Sequence, residues 1–263
     1  MKGIICYYSG SGNTKLAISY INKQIPSCEF ELFNIMNNET PDFSKFNIVG
    51  FATFADFWSA PQLMHTFFNG IEQQKGKPAF VFNTYGFISG KTLKSLSDLA
   101  KNKGFNVISG CSLHTPENFP PMRKRNMAFD HAPKPKEFEQ FNKFIDFLSD
   151  QISSIIAGDT PRSVPIKTGI MGIIFPKFSR KQSKKDFGIQ NVKNDICTEC
   201  GKCKKVCPYD AIKLSPKPVF DHEKCFGCWA CYNHCPSQAI FTPKFNGNYQ
   251  YPKPINELVE KLK

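Results

Sequence analysis

The sequence predicts an α/β protein in two parts: a doubly wound, five-stranded parallel sheet, then a small α+β domain. Three observations predict it. Apolar runs of strand length alternate with helical spacing over residues 1–157. A loop of Gly, Ser, Asn and Thr joins the first strand to the first helix. Eight cysteines between Cys197 and Cys235 repeat one spacing, C-x2-C-x2-C-x3-C-P.

Lys2 to Tyr8 is a short apolar run and reads as a buried strand. Ser9-Gly10-Ser11-Gly12-Asn13-Thr14 follows, and then a helix with Ala17, Ile18 and Ile21 on one face. Strand, small polar loop and helix make a phosphate cradle. Glycines let backbone N–H groups turn toward an anion, hydroxyls add donors, and the helix start is a positive dipole end. Neither G-x-x-x-x-G-K-[ST] nor G-x-G-x-x-G occurs here, which excludes the two commonest nucleotide loops. The pattern [ST]-x-[ST]-G-x-[ST] does fit, with Ser9, Ser11, Gly12 and Thr14 in register, and it resembles the FMN phosphate loop of flavodoxins.

The next elements keep the alternation. Glu29 to Ile35, Asn47 to Thr53, Pro78 to Thr84 and Phe105 to Leu113 read as strands. Pro61 to Gly70, Lys91 to Lys103, and the series Phe138, Phe141, Ile145, Leu148, Ile152, Ile155 read as helices. The resemblance implies the strand order 2-1-3-4-5, with FMN beyond the carboxyl ends of the strands. It also implies that the loops after strands one, three, four and five meet the cofactor. The candidate FMN residues are therefore Ser9, Gly10, Ser11, Gly12, Asn13, Thr14, Thr53, Phe57, Trp58, Asn83, Thr84, Tyr85 and Gly86. Tyr85 and either Trp58 or Phe57 suit the faces of a flavin ring. The competing reading makes these aromatics core in a chain with 26 Phe. The loop His114 to Met122 resembles a segment of flavodoxin–ferredoxin fusion proteins that lies near the flavin. His65, His114, His131 and Asp56 receive no catalytic role. Cys6, Cys28 and Cys111 read as small buried hydrophobes.

Residues 158–194 form a basic, Gly- and Pro-containing linker with eight Lys/Arg against two Asp. Its apolar patch Ile170 to Phe175, followed by basic residues, reads as a connector packed between domains, with docking on a membrane or an acidic partner as the alternative. The cysteines follow: Cys197, Cys200, Cys203 and Cys207, then Cys225, Cys228, Cys231 and Cys235. The second set trails the first by 28 residues throughout, and the offset extends to Pro208/Pro236, Ala211/Ala239 and Ile212/Ile240. Three thiolates at this spacing wrap a cubane corner by corner, and the spacing is that of bacterial ferredoxins with two [4Fe-4S] clusters. That resemblance implies crossed ligation. One cluster takes Cys197, Cys200, Cys203 and Cys235; the other takes Cys225, Cys228, Cys231 and Cys207. Zinc sites need pairs of C-x2-C with longer spacers, so zinc is rejected. The ferredoxin domain is read over 195–245, and a tail with a short helix over 246–263.

Charge bears on partners. The net charge is +12; residues 158–263 hold 18 Lys/Arg and 9 Asp/Glu, against 16 and 13 in residues 1–157. The basic surround of the cysteines (Lys202, Lys204, Lys205, Lys224) departs from the acidic habit of such domains. It points to an acidic redox protein or a low-potential donor or acceptor. No nucleic-acid motif is present, and no apolar stretch approaches the ~18 to 20 residues of a membrane span. Thiolate ligands call for a reducing compartment, so a cytoplasmic protein of an anaerobe or an oxygen-poor setting is expected. The function expected is electron transfer between FMN and two [4Fe-4S] clusters. An FMN-dependent reductase fed by its own ferredoxin domain is the alternative, and a binding or sensing module without flavin is a third class. A homo-oligomer stays open, because a neighbouring subunit could bring its cluster to this flavin.

Overall fold

The computed structural model describes residues 1–37, 39–166, 179–246 and 249–263. Its first part runs β1 (Lys2–Tyr7), α1 (Asn13–Gln24), β2 (Glu29–Asn34), β3 (Ile48–Phe54) and α2 (Gln62–Asn69). It continues with β4 (Pro78–Tyr85), α3 (Thr92–Asn102), β5 (Asn106–His114), the short α4 (Pro120–Arg123) and α5 (Pro135–Ile156). The five strands are parallel in the order β2-β1-β3-β4-β5, as expected from the sequence. The switch between β1 and β3 opens a crevice at their carboxyl ends.

Alternation along the strands builds two cores. Ile5, Ile48, Phe80 and Phe82 face one layer with Ala17, Ile18 and Ile21 of α1 and Phe141, Ile145 and Leu148 of α5. Ile4, Cys6, Val49, Phe51 and Val81 face the other with Met64 and Phe68 of α2 and Leu96 of α3. The abundant Phe is used here: the Phe51 ring lies 4.5 Å from Phe68 and 5.0 Å from Phe105. Each such fully buried ring contributes on the order of 1.5–3 kcal/mol, and Phe141→Ala would cost about 3–5 kcal/mol with the cavity it leaves. Helix α5 begins three residues before the apolar series predicts. Pro135 presets its first turn, and the Glu137 carboxylate accepts the Lys134 N–H at 2.7 Å.

The second part comprises α6 (Arg180–Phe187), β6 (Asn191–Val192), α7 (Lys202–Lys205), β7 (Ile212–Ser215), β8 (Lys217–Phe220), α8 (Ala230–Asn233), β9 (Ile240–Phe241) and α9 (Asn256–Lys261). The 28-residue duplication extends to the backbone. Positive φ recurs at Glu199 and Gly227, Gly201 and Trp229, and Asp210 and Gln238. The ribbon β7·β8 has its counterpart in β9·β6. Thus residues 191–192, read as linker, pair with the cysteine-bearing segment. The tail also goes elsewhere than its sequence position suggests. Leu258 and Leu262 join the core of the first part beside α1 and α5. The apolar patch Ile170 to Phe175 lies outside the described residues.

Candidate functional site

The loop after β1 is held on several sides. The Ser9 hydroxyl accepts the N–H groups of Gly12 and Lys15, both at 3.2 Å. Asn13 is buried and donates to the carbonyl of Pro116 at 3.0 Å, and Thr14 shares a 2.9 Å hydrogen bond with Thr84. Asn118 donates to Ser11 at 2.7 Å. Gly12 begins α1 at φ +99°, and a Cβ there would lie 2.7 Å from Pro254 of the tail. Ser9, Gly10, Ser11, Asn13, Thr14, Thr84, Tyr85 and Gly86 line one small cavity. Phe54, Ala55, Gly86, Glu117 and Asn118 pass from it into a second, open cavity of about 470 Å³. Phe57 and Trp58 line that larger space, together with Phe87, Phe119 and Phe187.

The remaining candidates are placed differently. Thr53 and Asn83 are fully buried on the strands, outside the walls of both cavities. Asn83 is occupied by Ser89 and Ser112, at 3.1 and 2.7 Å. Gly12 borders a separate cleft on the outer side of the loop. Tyr85 stands at the smaller cavity and stacks on His114, ring centres 5.1 Å apart, while His114 hydrogen-bonds Glu137 at 3.0 Å.

The sequence reading missed Glu117. Burial pushes its carboxyl upward, against the N–H groups of Phe119, Phe87 and Asn118 that it accepts at 2.9–3.0 Å. It stands where the two cavities meet, and its only signal in the sequence was membership of the Pro-stiffened loop after β5.

The cysteines surround two further cavities. Cys197, Cys200, Cys203 and Cys235 line one; Cys207, Cys225, Cys228 and Cys231 line the other. In equivalent places the N–H of Ala239 points to Cys235 Sγ at 3.2 Å and that of Ala211 to Cys207 Sγ at 3.4 Å. Such donors stabilise sulfur anions. Burial pushes the Cys228 thiol up to about 12, so its thiolate needs a cationic centre as partner. Four thiols around a hollow suit a polynuclear group. Among the described residues no three His, Cys, Asp or Glu side chains converge on a point for a single ion.

The two parts meet at these sites. Gly227, Cys228 and Trp229 form one wall of the larger, open cavity. Cys228 therefore borders both that cavity and the hollow of the second cysteine set. Phe119 joins the parts by edge contacts, with ring centres 5.5 Å from Phe57 and 5.9 Å from Trp229. Asn233 donates to the Asn118 carbonyl at 2.9 Å, and His234 Nε2 donates to the Gly10 carbonyl at 2.9 Å. From α6, Arg180 pairs with buried Asp56 and lies over the rings of Phe57 and Phe226.

Residues 196–239 match the family model of the 4Fe-4S dicluster domain. The chain joins a flavodoxin-like fold to a 4Fe-4S dicluster domain. In the dicluster domain, an uncharacterized ferredoxin of Methanocaldococcus jannaschii is 44% identical over 49 residues, 18% of this chain and 32% of the relative. A ferredoxin of Pyrobaculum islandicum is 39% identical over 51 residues, 19% of this chain and 48% of the relative. The chain thus spans less than half the length of either. Among solved structures, an archaeal flavodoxin is 16% identical, covers 58% of this chain and 99% of its own, and has a TM-score of 0.44. The flavodoxin of Megasphaera elsdenii is 22% identical, covers 52% and 94%, and has a TM-score of 0.40. The assignment of the first fold rests on its strand order. Among the described residues no helix is long and apolar enough to cross a membrane.

Proposed function

We propose that this is an electron-transfer flavo-iron–sulfur protein, relaying electrons between two [4Fe-4S] clusters and FMN and on to, or from, a redox partner. The observation that carries the reading is the double position of Cys228, at the wall of a cysteine-lined hollow and of the cavity beside the phosphate loop. Cys197, Cys200, Cys203 and Cys235 hold an outer cluster. Cys225, Cys228, Cys231 and Cys207 hold an inner one. Ser9 to Thr14 and Thr84 hold the FMN phosphate, and the larger cavity takes the ring between Phe57, Trp58 and the Gly86 backbone. FMN supplies an exchange between one- and two-electron traffic when bound. The chain's own part is to fix that ring against Cys228 and Trp229 and to keep the inner sulfurs out of water.

Anaerobic purification and an absorption spectrum test this. Cluster bands with flavin bands are expected; full cluster occupancy without flavin would defeat it. The reductase alternative is favoured by one observation: the larger cavity is open, with the Glu117 carboxyl and Arg125 in its wall. Steady-state turnover of quinones, enoates or nitro compounds beyond that of free flavin would establish it.

A further inference from the structure

We infer that an acidic redox protein docks in the cleft between the outer side of the phosphate loop and the loop of Cys197–Cys203, and exchanges electrons there with the outer cluster. The inference rests on the reading that those cysteines carry a cluster.

The cleft has a volume of about 1030 Å³ and separates Gly10 from Cys200, Lys202 and Lys205, with Lys253 of the tail at its rim. Among the described residues no carboxylate lines it. Lys202, Lys205 and Lys253 are exposed, and among the described residues none of the three forms an ion pair. Three uncompensated cations around one concavity attract a negative surface and raise its encounter rate.

The cysteines supply the second argument. Cys200 is exposed and stands in the wall of this cleft, whereas Cys207, Cys225 and Cys228 are half-buried and Cys231 is buried. The outer cluster is thus the one a protein can approach. The ring-side cavity offers a protein less, since Gly227, Trp229, Phe187 and Phe245 of the chain itself close one side of it. The step is the transfer of one electron from the reduced centre of the donor protein to the outer cluster, or its reverse. No bond forms or breaks.

The test uses the full chain with its cofactors and the triple variant Lys202→Glu, Lys205→Glu, Lys253→Glu. Stopped-flow reduction is followed at low salt with two donors, a reduced acidic ferredoxin and photoreduced deazaflavin. A second variant, with Lys136→Glu and Lys143→Glu on α5 and Lys101→Glu on α3, changes the net charge by the same amount away from the cleft. The cleft variant is expected to slow the acidic ferredoxin about tenfold or more. Its rate with deazaflavin should change less than about twofold, and the second variant should stay near the native rate with both donors. Equal rates for native protein and cleft variant with the acidic ferredoxin overturn the inference. So does an equal loss with both donors at unchanged iron content, because the lysines would then act on the cluster itself. Iron analysis beforehand separates the two levels: a native chain without cluster iron overturns the underlying reading and this inference with it.

Discussion

The Tyr251 hydroxyl donates a 3.0 Å hydrogen bond to Oδ1 of Asn13, across 238 positions of the chain. Both residues are buried. The tail thereby fixes a side chain of the loop after β1 from behind, and Tyr251 is itself held by Asn233 Oδ1, which accepts its N–H at 3.1 Å. Loop, dicluster domain and tail form one hydrogen-bonded unit.

Tyr251→Phe keeps the ring and removes the donor. The Asn13 oxygen then loses a buried partner, a cost of about 1–3 kcal/mol. FMN affinity is expected to fall by about fivefold or more, since 1.4 kcal/mol corresponds to tenfold. Quenching of FMN fluorescence in an anaerobic titration measures it. Native affinity in the variant would remove the tail from the site.

Gly86→Ala acts at the junction of the two cavities. Its Cβ would lie 2.4 Å from Glu117 Oε2 and 2.8 Å from Glu117 Cα. Either loop must shift, at about 1–3 kcal/mol of overpacking. The melting temperature should fall, and hydrogen exchange should quicken at the Phe87 amide that Glu117 now accepts. Unchanged exchange there would show that the loop absorbs the methyl group.

What was legible in the sequence follows from range. The sheet was legible because strand period and helix period are local, and Ile4/Ile5 already sort to opposite faces. The cysteine sets were legible because the duplication fixes them at a constant offset. The Ser9–Thr14 loop was legible from its residue types. Thr53 and Asn83 were carried along with their loops, but their strand register buries them away from the cavities. The contacts that join the parts were not legible. His234 to Gly10, Tyr251 to Asn13 and Arg180 to Asp56 lie 224, 238 and 124 positions apart, and no local pattern marks either partner.

Arg180→Met should make stability depend on pH. Burial raises the Asp56 carboxyl above its ordinary range, and Arg180 opposes that rise. Without the guanidinium the folded-state pKa rises further. A raised folded pKa gives stability that is present below the unfolded value, ~3.9, and is lost as pH rises through the folded value. The variant should therefore melt further below the native protein at pH 8 than at pH 5. Breaking such a buried pair costs about 3–5 kcal/mol where the charge persists. A melting difference independent of pH would contradict this.

The crossed ligation proposed above predicts an asymmetric pair of variants. Cys207→Ser removes a ligand from the cluster beside the ring-side cavity, although Cys207 follows the first cysteine run in sequence. Cys235→Ser removes one from the outer cluster. Cys207→Ser should slow flavin reduction most, and Cys235→Ser should slow electron uptake from an external donor most, both read by stopped-flow absorbance. The opposite assignment would mean that each run holds its own cluster.

The central claim is that flavin and clusters form one electron path within a single chain, through Cys228. The most direct test is anaerobic pulse reduction of the clusters, followed by the flavin absorbance at several protein concentrations. The account predicts a first-order transfer whose rate does not change with concentration. A rate proportional to concentration, or reduced clusters beside a flavin that stays oxidised, would contradict it.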